Sequence, residues 1–468
     1  MSVEGLISKA SLRGSGKPRY LSIADELGQR IRSGQLPTGE RLPAQRKLAQ
    51  HLDVTAGTIS RAYAILEQRG MAMARVGDGT YVRAPEPARG PDPQLTSHAP
   101  IDLAHNVAIA TDDAQALASA MQAVAANPEV LRDVLSYQPE NGLQRHREAG
   151  ARWLRRFGTE GDWRRVMVTH GAQHGLACVL RTLARPGDAV LTESLSYPGL
   201  QALARMMRLQ LVGIETDAHG MLPQSLEHAA RHIDAKLLYC APSLHNPTNS
   251  TMPIARRQAI AALARKHNLL VVEDCVHAAA QAAPLPALCT WLPEHSFLLS
   301  SFSKVMGPGL RVGYIEAAPQ WLSKFAAGMR ADCWMVAPLM PEIASRWIDS
   351  DVADQLIVAQ RAALAERLQC ARSVLEAGLP GLDMRCDPES PLVWLPLPEP
   401  WRAGQFVAAL RQVGVLVRSA DHFAVGRSSA PHAVRISLNA ARSVAEIRTG
   451  LETLVGVLQS APVAQMDP

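Results

Sequence analysis

Aromatic residues are scarce in this chain. Phe, Tyr and Trp make up 4 % of its 468 residues, so its cores rest on Ala, Leu and Val. Cysteines are few as well. The seven, at 178, 240, 275, 289, 333, 370 and 386, are scattered, odd in number and never spaced as CxxC. That pattern argues against a disulfide framework or a zinc site and for reduced thiols. Missing too is any apolar run long enough to cross a bilayer, and the opening MSVEGLISKASLRGS has no signal-peptide core. A cytoplasmic protein with no membrane partner is therefore expected. No low-complexity tract forces disorder, and 47 % hydrophobic with 19 % charged residues is an ordinary globular balance. The length exceeds one simple core, so two or three domains are expected.

What charge there is lies unevenly. Residues 1–84 hold 13 Lys and Arg against 7 Asp and Glu, a balance of +6, which leaves −1 for the remaining 384 residues. A polyanion partner is thus expected at the N-terminus and not elsewhere. Residues 85–100, PEPARGPDPQLTSHAP, carry five prolines and read as a linker reaching up to about 50 Å. Three segments follow: a basic module at 1–84, the linker at 85–100 and a large part at 101–468.

The basic module reads as three helices and a hairpin. LPAQRKLAQHL puts Leu48, Ala49 and Leu52 on one face. Thr55 can cap AGTISRAYAILEQRG, where Ile59, Ala62, Tyr63 and Leu66 follow helical spacing. Gly77-Asp78-Gly79 then turns a two-stranded hairpin. Such a unit reads double-stranded DNA, unless it is a small helical interaction domain with a basic surface. The string GERLPAQRKLA…VTAGTISRAY…LEQRG…GDGTYV closely resembles the GntR-type winged helix-turn-helix. The resemblance implies that Arg46 and the start of the third helix (Thr55, Thr58, Ser60 and Arg61) meet phosphates and bases, with Gly79 at a wing tip. The family often has arginine where this chain has Ala56, whose methyl cannot make a bidentate contact.

In the large part, apolar runs at 166–170, 188–193, 236–242, 268–273, 297–301 and 311–316 alternate with helical stretches such as 171–185 and 254–267. An α/β fold follows, with a mainly parallel sheet covered on both faces and ligands at the carboxyl edge. From about 340 onward a helix leads into a smaller α+β unit.

Lysine is nearly absent here. Residues 85–468 hold four, at 236, 266, 304 and 324, and Lys304 alone follows a buried strand, in LLSSFSKVMGPGLRVGY. A desolvated lysine is a usable amine nucleophile, and Schiff-base chemistry with an aldehyde makes pyridoxal 5′-phosphate (PLP) the leading cofactor. Its phosphate would take the helix start Gly171, Ala172 and Gln173, with Ser301, Ser303 and Arg311 completing the cup. Asp274 suits the ring nitrogen, Asn246 the ring oxygen and Tyr197 the ring face. His170 and His174, with no carboxylate cluster seen beside them, are not read as metal ligands.

Taken together these motifs resemble the fold-type I, aspartate aminotransferase-like enzymes from about residue 101 to the end, with a large subdomain near 135–325 and a small one near 340–460. The resemblance implies that Lys304 forms the internal aldimine, that Asp274 pairs with the pyridinium and that Tyr197 stacks. It implies Tyr137 reaching the neighbour's phosphate across a dimer, and Arg435 gripping a substrate carboxylate. Where the family usually has a tyrosine after the aspartate, this chain offers His277, which either substitutes as donor or leaves the contact unmade. A GntR-type head on such a body resembles the MocR subfamily of PLP-dependent transcriptional regulators. That implies a head-to-tail, domain-swapped homodimer whose body senses PLP or an amino compound through aldimine chemistry. A working aminotransferase with a vestigial head is the alternative.

Overall fold

The computed structural model describes residues 18–33, 35–37, 39–75, 79–82, 100–109, 113–426 and 430–460. Residues 85–99 of the proline-rich linker, with Gly77 and Asp78 of the hairpin turn, lie outside these.

The head is held by a small core of its own. Helix α1 (Arg19–Arg32) buries Ile23, Leu27 and Ile31, α2 (Gln45–Leu52) buries Leu48, Ala49 and Leu52, and α3 (Ala56–Gln68) buries Ile59, Ala62, Tyr63 and Leu66. These are the i, i+3, i+4 faces that the spacing demands. Asp53, at φ 56°, ends α2 in the left-handed region, and the Thr55 hydroxyl accepts from Thr58 N at 3.2 Å to start α3. The turn between the helices is therefore short and fixed. Strand β1 (Ala72–Arg75) pairs antiparallel with β2 (Gly79–Val82) to form the hairpin.

The body begins with β3 (Ile101–Asp102) and helices α4 (Ala114–Ala125), α5 (Pro128–Val134) and α6 (Gln144–Leu154). Strands and helices then alternate through β4 (Val166–Thr169), α7 (Ala172–Leu183), β5 (Ala189–Glu193), α8 (Pro198–Met207) and β6 (Gln210–Ile214). A short hairpin, β7 (Thr216–Asp217) and β8 (Gly220–Met221), leads to α9 (Pro223–His232), β9 (Ala235–Cys240), α10 (Ile254–Lys266) and β10 (Leu270–Asp274). Strands β11 (Ser296–Ser301) and β12 (Gly313–Glu316) close the large sheet.

Its order is β4-β12-β11-β10-β9-β5-β6, with β12 antiparallel to both neighbours and the other six strands all running one way. Six carboxyl ends thus share one edge. Because β12 runs backwards, its beginning lies there too, which brings Arg311 to the same edge. Strand β6 was not among the expected strands; it is an edge strand with a half-exposed register, so its apolar signal is weak.

Helices α11 (Pro319–Cys333), α12 (Leu339–Asp349) and α13 (Val352–Gly378) lead to the second sheet. That part comprises β13 (Arg385–Cys386), β14 (Leu392–Pro396), α14 (Ala403–Gln412), β15 (Val415–Leu416), β16 (Arg418–Ser419), β17 (Ala433–Ser437) and α15 (Val444–Gln459). The sheet order is β13-β14-β17-β16, and β15 pairs in parallel with β3.

The division between the two cores differs from the expected start near 340. Ile343, Ala344 and Trp347 of α12 pack into the large core, as do Ala353 and Ile357 early in α13. From Leu364 onward α13 faces the small core, so the boundary falls inside one continuous helix. The small core also takes Leu103 and Ile109 from the far end of the chain. All seven cysteines are free thiols, and no described helix is long and apolar enough to cross a membrane.

Candidate functional site

The strand-end rule places most of the chemistry-bearing residues at one edge of the large sheet. Asp274 closes β10. Its Oδ2 accepts from the Tyr239 hydroxyl at 2.7 Å and its Oδ1 from Val276 N at 2.9 Å. Burial pushes this carboxyl above the usual carboxylate range, against the pull of Tyr239, Val276 N–H and the nearby Lys304 ammonium. Tyr239 was missed by sequence reasoning. It sits in the apolar half of β9 that follows Lys236, where nothing in the pattern marks out a buried tyrosine. Behind it Glu193, fully desolvated, has its carboxyl pushed up to about 7 and accepts from Ala241 N at 2.8 Å.

Lys304 ends the single turn Phe302–Lys304 that follows β11, and its Nζ donates to the Asn106 carbonyl. His277 faces both Lys304 and Arg435, and burial holds its imidazole down to about 3, hence neutral near pH 7. Asn246 accepts through Oδ1 from Arg435 at 3.1 Å. Arg435 lies mid-strand in β17, 5 % exposed, its guanidinium 5.1 Å from the centre of the Phe423 ring. Burial, with the neighbouring Arg418, pulls it down to about 9. Its other donor contact is the Ala104 carbonyl; Nε is buried without an acceptor, and no carboxylate pairs with it among the described residues. A buried guanidinium held only by neutral oxygens is underpaid in charge and suits a carboxylate ligand.

The predicted phosphate cup also assembles. Gly171, at φ 78°, precedes α7, and the main-chain N–H groups of Ala172 and Gln173 open that helix. Arg311 donates to the His170 carbonyl at 3.2 Å and toward the Ser303 hydroxyl at 3.5 Å. Ser301 and Ser303 join their hydroxyls at 2.9 Å, and Ser301 donates to the Val312 carbonyl at 3.1 Å. Two bare glycines make this possible: a Cβ on Gly313 would stand 2.7 Å from the Gly171 carbonyl carbon. Gly313→Ala is therefore expected to lower stability by about 1–3 kcal/mol and to weaken phosphate binding, read by urea unfolding and a phosphate titration. Tyr197, the residue before α8, leans on Gly199, where a Cβ would lie 2.3 Å from its ring and 2.4 Å from Gln173 Oε1. That Oε1 is buried without a donor, so the cup keeps an unused acceptor beside its unused N–H groups. A concave set with a cation, free helix-start N–H groups, hydroxyls, a buried carboxylate and an amine fits PLP.

Tyr137 stands apart from this cluster. It is 82 % exposed and packs against Trp334, ring centres 6.0 Å apart. His174 has one acidic neighbour: Asp332, brought in by α11, lies 3.3 Å from Nε2. No group of three or more potential metal ligands occurs among the described residues. On the head, Arg46, Thr55, Ser60 and Arg61 are exposed and Thr58 is half-buried, its hydroxyl 2.9 Å from that of Thr55. Arg61 lies over the Tyr20 ring at 5.3 Å, and the Arg41 guanidinium crowds Gly79, which holds φ 130°.

Comparison with known proteins agrees with both halves. Residues 19–82 match the gntR family of bacterial regulatory proteins, and residues 100–454 match the aminotransferase class I and II family. YdeF of Bacillus subtilis, an HTH-type transcriptional regulator, is 31 % identical over 448 residues, covering 95 % of this chain and 96 % of its own. The vitamin B6 salvage pathway transcriptional repressor PtsJ of Salmonella typhimurium is 27 % identical, over 89 % of this chain and 93 % of its own. Among solved structures, the kynurenine aminotransferase of Pyrococcus horikoshii superposes with a TM-score of 0.71 at 21 % identity, over 78 % of this chain and 91 % of that one. That likeness establishes the fold of the body. A gntR head and an aminotransferase body in a single chain, matched nearly end to end by an HTH-type regulator, mean that the chain belongs to the MocR subfamily of GntR-type transcriptional regulators.

Proposed function

We propose that the body holds PLP on Lys304 and that an amino compound reacting there changes how the head binds its DNA. Bound in this cleft, PLP supplies an aldehyde that captures amines and a pyridine ring that withdraws electrons from them. The observation that carries the reading is that Lys304 acts electrostatically on both Asp274 and His277, that Arg435 acts on His277 and bonds Asn246, and that Arg435 is buried with no carboxylate in direct contact among the described residues.

Each residue has a task set by its surroundings. Tyr239 and Val276 N–H fix the Asp274 carboxylate so that a remaining lone pair serves the ring nitrogen. Asn246 serves the ring oxygen while orienting Arg435, and neutral His277 stands on the same side. Tyr197 covers the ring. Gly171, Ala172, Gln173, Ser301, Ser303 and Arg311 hold the phosphate. Arg435 receives the effector's carboxylate. Tyr137 serves a neighbour's phosphate in a head-to-tail homodimer; Leu135 beside it is 87 % exposed, an apolar area suited to a second copy.

The intact core of the head and its exposed Arg46, Ser60 and Arg61 favour DNA reading over a vestigial module. PtsJ and the pyridoxine biosynthesis regulator PdxR of Corynebacterium glutamicum, 30 % identical over 63 % of this chain and 66 % of its own, carry names that tie relatives to vitamin B6. A single experiment tests the reading: purified protein is titrated with PLP, sized, and assayed for retardation of its own upstream DNA with and without a panel of amino acids. A visible absorbance band, a dimer and an amino-acid-dependent change in retardation are expected. A colourless protein, or rapid transamination without DNA binding, overturns it.

A further inference from the structure

The stretch joining the linker to the body lies across the cleft. Leu103 is fixed in the small subdomain, donating to the Leu416 carbonyl at 2.9 Å and accepting from Ser437 N at 2.8 Å. Ile109 is fixed on α13, where Gln360 bonds both its N–H and its carbonyl. Between these anchors the chain turns its carbonyls toward the two cations of the site. Ala104 O accepts from Arg435, Asn106 O accepts from Lys304, and Val107 O accepts from Asn439 at 2.9 Å. Asp102 braces the turn by accepting from Ala104 N at 2.8 Å, from His105 N at 3.0 Å and from the His105 ring at 2.6 Å; Arg418 adds a contact to that ring at 3.2 Å.

We infer that residues 104–109 form a strap that competes with ligand, its carbonyls occupying the amine that PLP would use and the guanidinium that an amino carboxylate would use. The inference rests on the proposed PLP reading and extends it to regulation. Condensation of the Lys304 amine with an aldehyde forms a carbon–nitrogen double bond and expels the aldehyde oxygen as water with the two amine hydrogens. The donors that Asn106 uses are thereby withdrawn. A carboxylate displaces the Ala104 carbonyl from Arg435, because a full charge pairs better than a dipole with a buried guanidinium. The two contacts thus answer to different ligands. PLP condensed on Lys304 would free Asn106 alone; an amino acid that takes over the aldehyde gives the amine back to Lys304 and, through its carboxylate, frees Ala104. Between linker and strap stand β3 and Leu103, held by the small subdomain, so release of the strap frees that subdomain, from which the linker departs, to shift over the cleft. Asn106 and Ile109 of the strap line a small cavity together with His277, Lys304, Gln360 and Asn439.

The test uses stable conjugates that need no reaction at Lys304: phosphopyridoxyl-L-alanine, and phosphopyridoxyl-ethylamine, which lacks the carboxylate. Binding of each to the full-length protein is measured by titration, and amide hydrogen exchange is followed in peptides covering 101–109. The alanine conjugate is expected to speed exchange across 104–109 about tenfold or more, and the ethylamine conjugate distinctly less. Gln360→Ala, which frees Ile109, is expected to raise affinity for the alanine conjugate about tenfold by weakening the competitor. If the conjugates bind but exchange at 104–109 is unchanged or slowed, or if Gln360→Ala leaves affinity equal or lower, the strap falls while the PLP reading stands. If neither conjugate binds, both fall together.

Discussion

Lys304→Ala is expected to leave no cofactor trapped on the chain after borohydride reduction, whereas Lys324→Ala retains the full label. Of the four lysines in the body, Lys304 alone follows a buried strand at the sheet's carboxyl edge; Lys266 pairs with Glu227 at 2.6 Å and Lys324 rests over Trp321. The phosphate cup does not depend on Lys304. Its N–H groups, hydroxyls and Arg311 continue to hold PLP without the covalent bond, so affinity is expected to drop about 100-fold, close to 2.7 kcal/mol, rather than vanish. The visible band is lost in the same variant, and unfolding of the protein without PLP shifts little. Label that survives in Lys304→Ala, or label of equal strength lost in Lys324→Ala, would falsify the assignment.

Arg435→Lys separates cofactor from effector. The charge is kept, but the planar fork that meets a carboxylate with two parallel bonds is gone. Charge-assisted hydrogen bonds contribute about 1.5–3 kcal/mol each, so losing one predicts a tenfold to hundredfold weaker response to amino acids. PLP itself is expected to bind within about threefold of the wild type, since Asn246 and Asp274 keep their places, and amines without a carboxylate are expected to react unchanged. The measurement is the spectral shift of the bound cofactor as amino acid or plain amine is added. A loss of equal size for both classes of ligand would mean that Arg435 supports the cleft and does not read a carboxylate.

How far could the residues alone lead to this site? Asp274, Asn246, Tyr197 and Lys304 each follow an apolar strand, and a polar residue there is conspicuous because strand and burial are both local signals. Arg311 was legible from its place shortly after the lysine, but Gly313 needed the topology: only an antiparallel β12 returns it to the edge where Gly171 waits. Tyr239 was hidden because its hydroxyl finds Asp274 across neighbouring strands, a contact that no spacing encodes. The strap was hidden for a different reason. Its groups at the site are main-chain carbonyls, which every residue carries. Asp332 beside His174 comes from 158 positions away, and the packing of α12 on the large core depends on partners such as α6 rather than on its own pattern.

Strand β3 and the buried side chains of Leu103 and Ile109 complete a subdomain whose other pieces lie beyond residue 360. The polypeptide thus begins its smaller lobe before the larger one and finishes it last. During synthesis the head can fold as soon as it emerges, but the surroundings of Leu103 are complete only once β15, β17 and α15 have left the ribosome. The same circular course fixes where the protein can be cut. A head-free sensor must start ahead of Ile101, because trimming to the first helix of the body would open the small lobe along with the cleft.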